Sequence, residues 1–171
     1  MRKVLLTLLN ISAAGFVFAQ TATYQYNRGS YLAASGSFAE AMPYYDEAIR
    51  LDPKMEAALF SRGEAKYRLT DYNGAIDDFN KALALNPKDE NAYFFRAVCN
   101  AKLMDMGNSI NDYSQAIAIN PEFAQAFLNR GNAKFKLNDK KGACDDWSKA
   151  SELGYPNANN ENYCRVLTAS K

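Results

Sequence analysis

Apolar residues recur along this chain at helical spacing, in paired stripes. Over Glu56 to Asp89 one stripe runs Leu59, Phe60, Gly63 and Tyr67, and the next runs Tyr72, Ala75, Ile76, Phe79 and Leu83. Each stripe predicts an amphipathic helix, so each unit is a helix pair. Ser37, Asp71, Asp105 and Asp139 stand between paired stripes, where a side-chain oxygen accepts the free N–H groups at the start of a second helix. Asp52-Pro53, Asn86-Pro87 and Asn120-Pro121 precede the next first stripe. They are expected to be N-caps followed by proline in the first helical turn, where its missing N–H costs nothing.

The pairs repeat with a period of 34 residues. Pro53, Pro87 and Pro121 keep that step, as do the columns Gly29, Gly63, Ala97, Gly131; Ala41, Ala75, Ser109, Ala143; Ala48, Ala82, Ala116, Ala150; and Tyr45, Phe79, Tyr113, Trp147. Small residues at two fixed offsets, an aromatic four positions after the second and a closing proline resemble the tetratricopeptide repeat. The resemblance covers Ala22 to Asn157. It implies an all-α, right-handed α-solenoid of four helix-turn-helix units, 22–55, 56–89, 90–123 and 124–157, with a C-terminal capping helix at about 157–170. The small columns let paired helices approach closely. Pro43 falls inside the second helix of the first unit and is expected as a tolerated irregularity of a terminal repeat.

One column departs from the commonest form of the motif. Arg28, Arg62, Arg96 and Arg130 occupy the place before the small residue, where a large apolar side chain is usual, and Asp78, Asp112 and Asp146 follow at a constant offset. These arginines and aspartates either pair, within a repeat or with its neighbour, and help set the superhelical angle, or form a row of solvated charges. The adjacent carboxylates Asp77-Asp78 and Asp145-Asp146 point about 100° apart on a helix, which does not suit a shared metal or proton, and are expected on a solvated face.

Residues 1–19 lie outside the repeat pattern. Arg2 and Lys3 precede an apolar run to Phe18 that ends in Val17-Phe18-Ala19, which reads as a secretory signal peptide cleaved after Ala19. The run is shorter than the ~20 residues of a spanning helix. The expected product, residues 20–171, is exported to the periplasm or cell envelope of a bacterium without stable membrane insertion. It carries 18 basic and 19 acidic residues once Arg2 and Lys3 are gone. No basic patch points to nucleic acid.

The family resemblance implies a binding groove lined by the first helices of successive repeats. On that scheme the inward positions hold Tyr26, Phe60, Phe94 and Leu128, then Ser30, Glu64, Val98 and Asn132, then Ala33, Tyr67, Ala101 and Phe135, with Arg68, Lys102 and Lys136 as a basic edge. Tyr26, Phe60, Glu64, Tyr67, Phe94, Val98, Asn132 and Phe135 are the candidate groove residues, and Leu128 is read as core. An aromatic floor suits a protein or peptide partner with large apolar anchors. The implied function is an interaction module or scaffold. The alternative is a binder of a non-protein envelope ligand such as a glycan. Some family members grip a chaperone tail through lysine, arginine and asparagine on three first helices. Phe60, Ser61, Glu64, Asn91 and Phe95 stand near those places here, so the carboxylate clamp is missing.

Enzymatic chemistry finds no foothold. The chain has no histidine, no glycine-rich phosphate loop and no zinc-ligand spacing among its three cysteines, so no cofactor is expected. Cys99 reads as a packed small hydrophobe. The run Gly142 to Trp147, then Leu153-Gly154 and Tyr163-Cys164, resembles a terminal module of exported tetratricopeptide proteins of Bacteroidetes-type bacteria. That resemblance, with an oxidising compartment, implies a possible Cys144–Cys164 disulfide; two buried thiols are the other possibility.

Overall fold

The computed structural model describes residues 21–155 and Cys164. The apolar run of residues 1–19 and the expected capping helix at 157–170, Cys164 apart, lie outside them. The described residues are helical with no strand: α1 (residues 21–34), α2 (Phe38–Leu51), α3 (Glu56–Arg68), α4 (Tyr72–Leu85), α5 (Glu90–Lys102), α6 (Met106–Ile119), α7 (Ala124–Lys136) and α8 (Lys140–Glu152). The fold is an all-α helical repeat. It divides into two compact units, Met1–Leu85 and Asn86–Lys171.

The turn inside each helix pair is built the same way four times. Gly36, Thr70, Met104 and Asn138 take the left-handed backbone conformation, with φ of 84°, 66°, 65° and 64°. The next residue then donates its N–H back across the turn, Asp71 to the Lys66 carbonyl and Asp105 to the Asn100 carbonyl at 2.9 Å each, Ser37 to Leu32 and Asp139 to Lys134 at 3.0 Å each. Carbonyls at the end of the first helix are satisfied by these bonds. The same residue opens the second helix. Asp71 accepts from the Gly74 N–H at 3.0 Å, Asp105 from Asn108 at 3.1 Å and Asp139 from Gly142 at 2.9 Å. Ser37 makes no such side-chain bond, so three of the four expected caps form.

The turns between pairs differ from the sequence expectation. Helices α3, α5 and α7 start three residues after the proline, at Glu56, Glu90 and Ala124, with Met55, Asp89 and Phe123 at the cap position. Asp52 and Asn120 instead close α2 and α6. Their oxygens, and that of Asn86, accept from the N–H two residues on, Lys54 at 3.0 Å, Lys88 at 3.2 Å and Glu122 at 3.1 Å. Each Asx-Pro is therefore a tight turn with proline at its second position, where its fixed φ is an advantage. Pro43 lies within α2 and has no N–H for the Ala39 carbonyl one turn back, and both residues are exposed.

In the first unit α2 packs on α3 and α3 on α4; in the second α5 packs on α6, α6 on α7 and α7 on α8. The small residues expected at the contacts are there. An added Cβ at Gly29 would stand 2.8 Å from the Tyr45 ring, at Gly63 2.9 Å from Phe79 and at Gly131 2.7 Å from Trp147. The large aromatics of α2, α4 and α8 thus lie against a bare backbone, and in the third pair Ala97 takes the glycine's place. Ala41, Ala48, Ala75, Ala82, Ala116, Ala143 and Ala150 are fully buried. Cys99 is buried too and stands outside the disulfide, in keeping with a packing role.

From the second repeat onward the arginine column is paired, not solvated. Arg62 reaches Asp78 through Nε at 2.8 Å and Nη2 at 2.7 Å, and the same two-pronged contact joins Arg96 to Asp112 and Arg130 to Asp146. A third polar group completes each site: Lys66 at 2.8 Å from Asp78, Lys134 at 2.9 Å from Asp146, and the Asn100 amide at 3.2 Å from Asp112. Asp78 and Asp146 are buried, which corrects the expectation of a solvated face; only their neighbours Asp77 and Asp145 are exposed. Burial opposes ionisation of Asp78, but bonds from Arg62 and Lys66 outweigh it and hold its carboxyl below the usual range. In the first repeat, where Tyr44 replaces the acid, Arg28 lies 5.5 Å over the Tyr44 ring.

Candidate binding site on the first-helix faces

Each unit carries its own cleft beside its first helices. In the first unit a cleft of about 390 Å³ lies against α1 and α3, with Tyr26, Glu64 and Arg68 on its walls and Tyr45 of α2 below them. Burial pushes the Tyr45 phenol up in pKa. Glu64 and Arg68 form an ion pair at 3.6 Å, one turn apart on α3. The Arg68 guanidinium also lies 5.8 Å over Phe38 and 5.9 Å over Tyr67.

In the second unit a cleft of about 290 Å³ lies against α5 and α7. Val98, Met106 and Tyr113 give it an apolar wall, while Asn129, Asn132, Lys102 and Lys136 supply its polar groups. The Trp147 indole N–H donates to the Asn132 side-chain oxygen at 3.1 Å, fixing the amide's orientation. Phe135 is exposed and rests on Trp147 with ring centroids 5.6 Å apart.

Of the eight residues expected in the groove, Tyr26 and Glu64 line the first cleft, and Val98 and Asn132 the second. Phe60 and Tyr67 line neither; they are partly buried beside Phe79 and Tyr72, at 5.7 and 6.0 Å. Phe94 is a correction. It is 6% exposed and stacks on Phe123 at 4.9 Å, with Phe95 and Tyr113 against its other sides. Phe123, in the column of Met55 and Asp89, folds its ring back over the start of α5, so Phe94 belongs to the core. Leu128, read as core, is partly exposed. The contribution of second helices, through Tyr45 and Tyr113, escaped sequence reading, although both stand in the periodic aromatic column.

Cys144 on α8 is joined to Cys164 by a disulfide, with Cα atoms 5.6 Å apart. Among the described residues no group of histidine, cysteine or acidic side chains is placed to hold a metal ion. No described helix is long and apolar enough to cross a membrane.

A family model described as tetratricopeptide repeat matches residues 22–55 and 56–89, and another described as TPR repeat matches 105–138. The latter span begins at the second helix of a pair, because a periodic chain admits either starting point. No curated protein matches the sequence. Among solved structures, MamA from Desulfovibrio magneticus RS-1, residue 41 to the end, is similar at 22% identity and TM-score 0.74, over 78% of this chain and 75% of that one. A tetratricopeptide repeat protein from Parabacteroides merdae is similar at 22% identity and TM-score 0.74, over 82% of this chain and 56% of that one. The first TPR domain of Spaghetti (RPAP3), solved with an HSP90 peptide, is similar at 24% identity and TM-score 0.67, over 70% of this chain and 98% of that one. These likenesses establish a shared fold. With the 34-residue period, the bare-backbone aromatic contacts and the family models pointing the same way, this chain belongs to the tetratricopeptide repeat family.

Proposed function

We propose that this chain is a protein-interaction module that holds a peptide or partner segment against its first helices, in the bacterial cell envelope. One observation carries the reading: each unit has a cleft beside its first helices, floored by the aromatic of a second helix and edged by hydrogen-bonding side chains. An apolar pocket with a few fixed polar groups is what a side-chain anchor needs. The RPAP3 domain, with which this chain shares its fold, was solved holding a peptide. The HSP90 tail itself is not proposed as a ligand, since Phe60, Ser61, Glu64, Asn91 and Phe95 replace the clamp. The basic and apolar start of the chain and the Cys144–Cys164 disulfide support the envelope location, because disulfides persist where the surroundings are oxidising.

The test is capture of partners from envelope extract, followed by binding of the purified partner to wild type and to the Asn132→Ala, Phe135→Ala variant, once that variant is shown to melt like wild type. A partner bound by wild type and lost by the variant supports the reading. Equal binding by both removes the first-helix face of the second unit from the function, and saturable binding of glycan fragments in place of any protein overturns it.

A further inference from the structure

Beyond the clefts, we propose that a second surface of this chain, the edge formed by the α5 to α6 and α7 to α8 turns of the second unit, docks on an anionic phospholipid bilayer. Helices α5 and α7 pack on α6 and on each other, and their last residues, Lys102 and Lys136, line one cleft, so the two turns stand at the same end of the unit. Leu103 and Met104 belong to the first turn and Leu137 to the second, and they are 42%, 70% and 57% exposed. Met104 takes the left-handed conformation that Gly36, Thr70 and Asn138 take in the other turns. Its apolar side chain gains little burial within the protein to offset that strain. Apolar side chains gathered at an exposed edge and rimmed by polar groups mark an interaction surface.

The charge of this edge selects its occupant. Lys102, Lys136 and Lys140 flank the apolar tips, are exposed, and make no ion pair among the described residues, whereas Lys134 and Lys141 are taken by Asp146 and Asp145. Asp105 and Asp139, the acids of these turns, accept the N–H groups that open α6 and α8, at the positive ends of those helices. Lysine stems lie along apolar surface while their heads reach phosphates, so lysine beside leucine and methionine suits the headgroup level of a bilayer. The backbone suits it too. The N–H groups of Leu103, Met104 and Asp105, and of Leu137, Asn138 and Asp139, are bonded to carbonyls of the helix before, so none is carried unpaired toward the acyl chains. The first unit lacks the combination: its turns hold Ser35-Gly36 and Leu69-Thr70, and Arg68 there is paired with Glu64. The edge rests on the bilayer without crossing it, since no described helix is long and apolar enough to span.

The test sediments the chain from Gln20 onward, which keeps every described helix, with vesicles of phosphatidylcholine alone or of phosphatidylcholine with phosphatidylglycerol. The expected result is binding to the anionic vesicles that weakens about tenfold or more without phosphatidylglycerol and falls as salt is raised. Met104, Leu137 and Lys140 do not line the cleft, so changes there separate this edge from partner binding by the cleft. Met104→Ser with Leu137→Ser is expected to weaken vesicle binding about tenfold, and Lys140→Glu about fivefold, each variant first shown to be folded by its melting curve. Lys88→Glu, the same charge change at the exposed turn before α5, leaves binding as it was. The proposal is overturned by binding to neither vesicle, by equal binding to both, by edge variants that bind like wild type, or by an equal loss in Lys88→Glu. A captured protein lost by the edge variants, with no vesicle binding, also overturns it and gives the edge to a protein partner.

Discussion

The Arg62 guanidinium meets the Asp78 carboxylate edge to edge while its remaining nitrogen, Nη1, reaches Asp46 on the preceding repeat at 2.6 Å. Asp78 is fully buried, so removing its charge leaves Arg62 and Lys66 facing a neutral group inside the protein. Asp78→Asn is expected to cost about 3–5 kcal/mol of unfolding free energy, read from denaturant midpoints. A cost below that of an exposed ion pair would mean the site is a bystander.

The same carboxylate gives stability a pH dependence of definite sign. Its folded pKa lies below the ordinary 3.8, so its contribution is complete above that value and is lost as pH falls through the folded value. Wild type is expected to lose stability steeply below 3.8, and Asp78→Asn to show a shallower slope there. Parallel slopes in denaturant titrations from neutral to strongly acid solution contradict this.

Thr70 and Met104 adopt a backbone conformation in which a Cβ costs about 1–2 kcal/mol, at a column where the first repeat has Gly36. Met104→Gly is expected to raise stability by up to about 1 kcal/mol, the gain reduced by glycine's freedom in the unfolded chain. A lower melting temperature for the variant refutes it.

Gly131→Ala drives a methyl into Trp147, whose indole is also tied to Asn132. The ring has no room to slide without breaking that bond. A loss of about 1–3 kcal/mol is expected, with a shift in tryptophan emission that reports on one residue, since the chain has one tryptophan.

Reduction of Cys144–Cys164, which closes a 20-residue separation, is expected to lower stability by about 3 kcal/mol, read as a lower melting temperature with reductant present. An unchanged melting curve rules out a stabilising cross-link.

Much of this was legible because repetition turns single residues into columns. The Gly29, Gly63 and Gly131 column and the Tyr45, Phe79 and Trp147 column pointed to a close contact, and they are the two halves of one. Constant spacing likewise placed Arg62, Arg96 and Arg130 opposite Asp78, Asp112 and Asp146, though spacing alone does not say whether a charge is dry. What stayed hidden depends on departures from the period. Phe123 is an aromatic where other repeats have Met55 and Asp89, and it is the ring that buries Phe94. The Asx-Pro pairs were misassigned because asparagine and aspartate oxygens serve a turn and a helix start through the same kind of bond to a nearby N–H.

The third arm of the arginines has a consequence for how repeats combine. Arg62 spends it on Asp46 and Arg130 on Ser114, each in the repeat before its own. A donor that faces one way along the chain and an acceptor that faces the other make neighbouring repeats head-to-tail partners with an address. Repeats shuffled between positions, or repeats from two copies joined by their equivalent faces, would set guanidinium against guanidinium or carboxylate against carboxylate. Orderly growth in one direction is thereby written into the same arginines, Arg62 and Arg130, that hold their own helix pairs together.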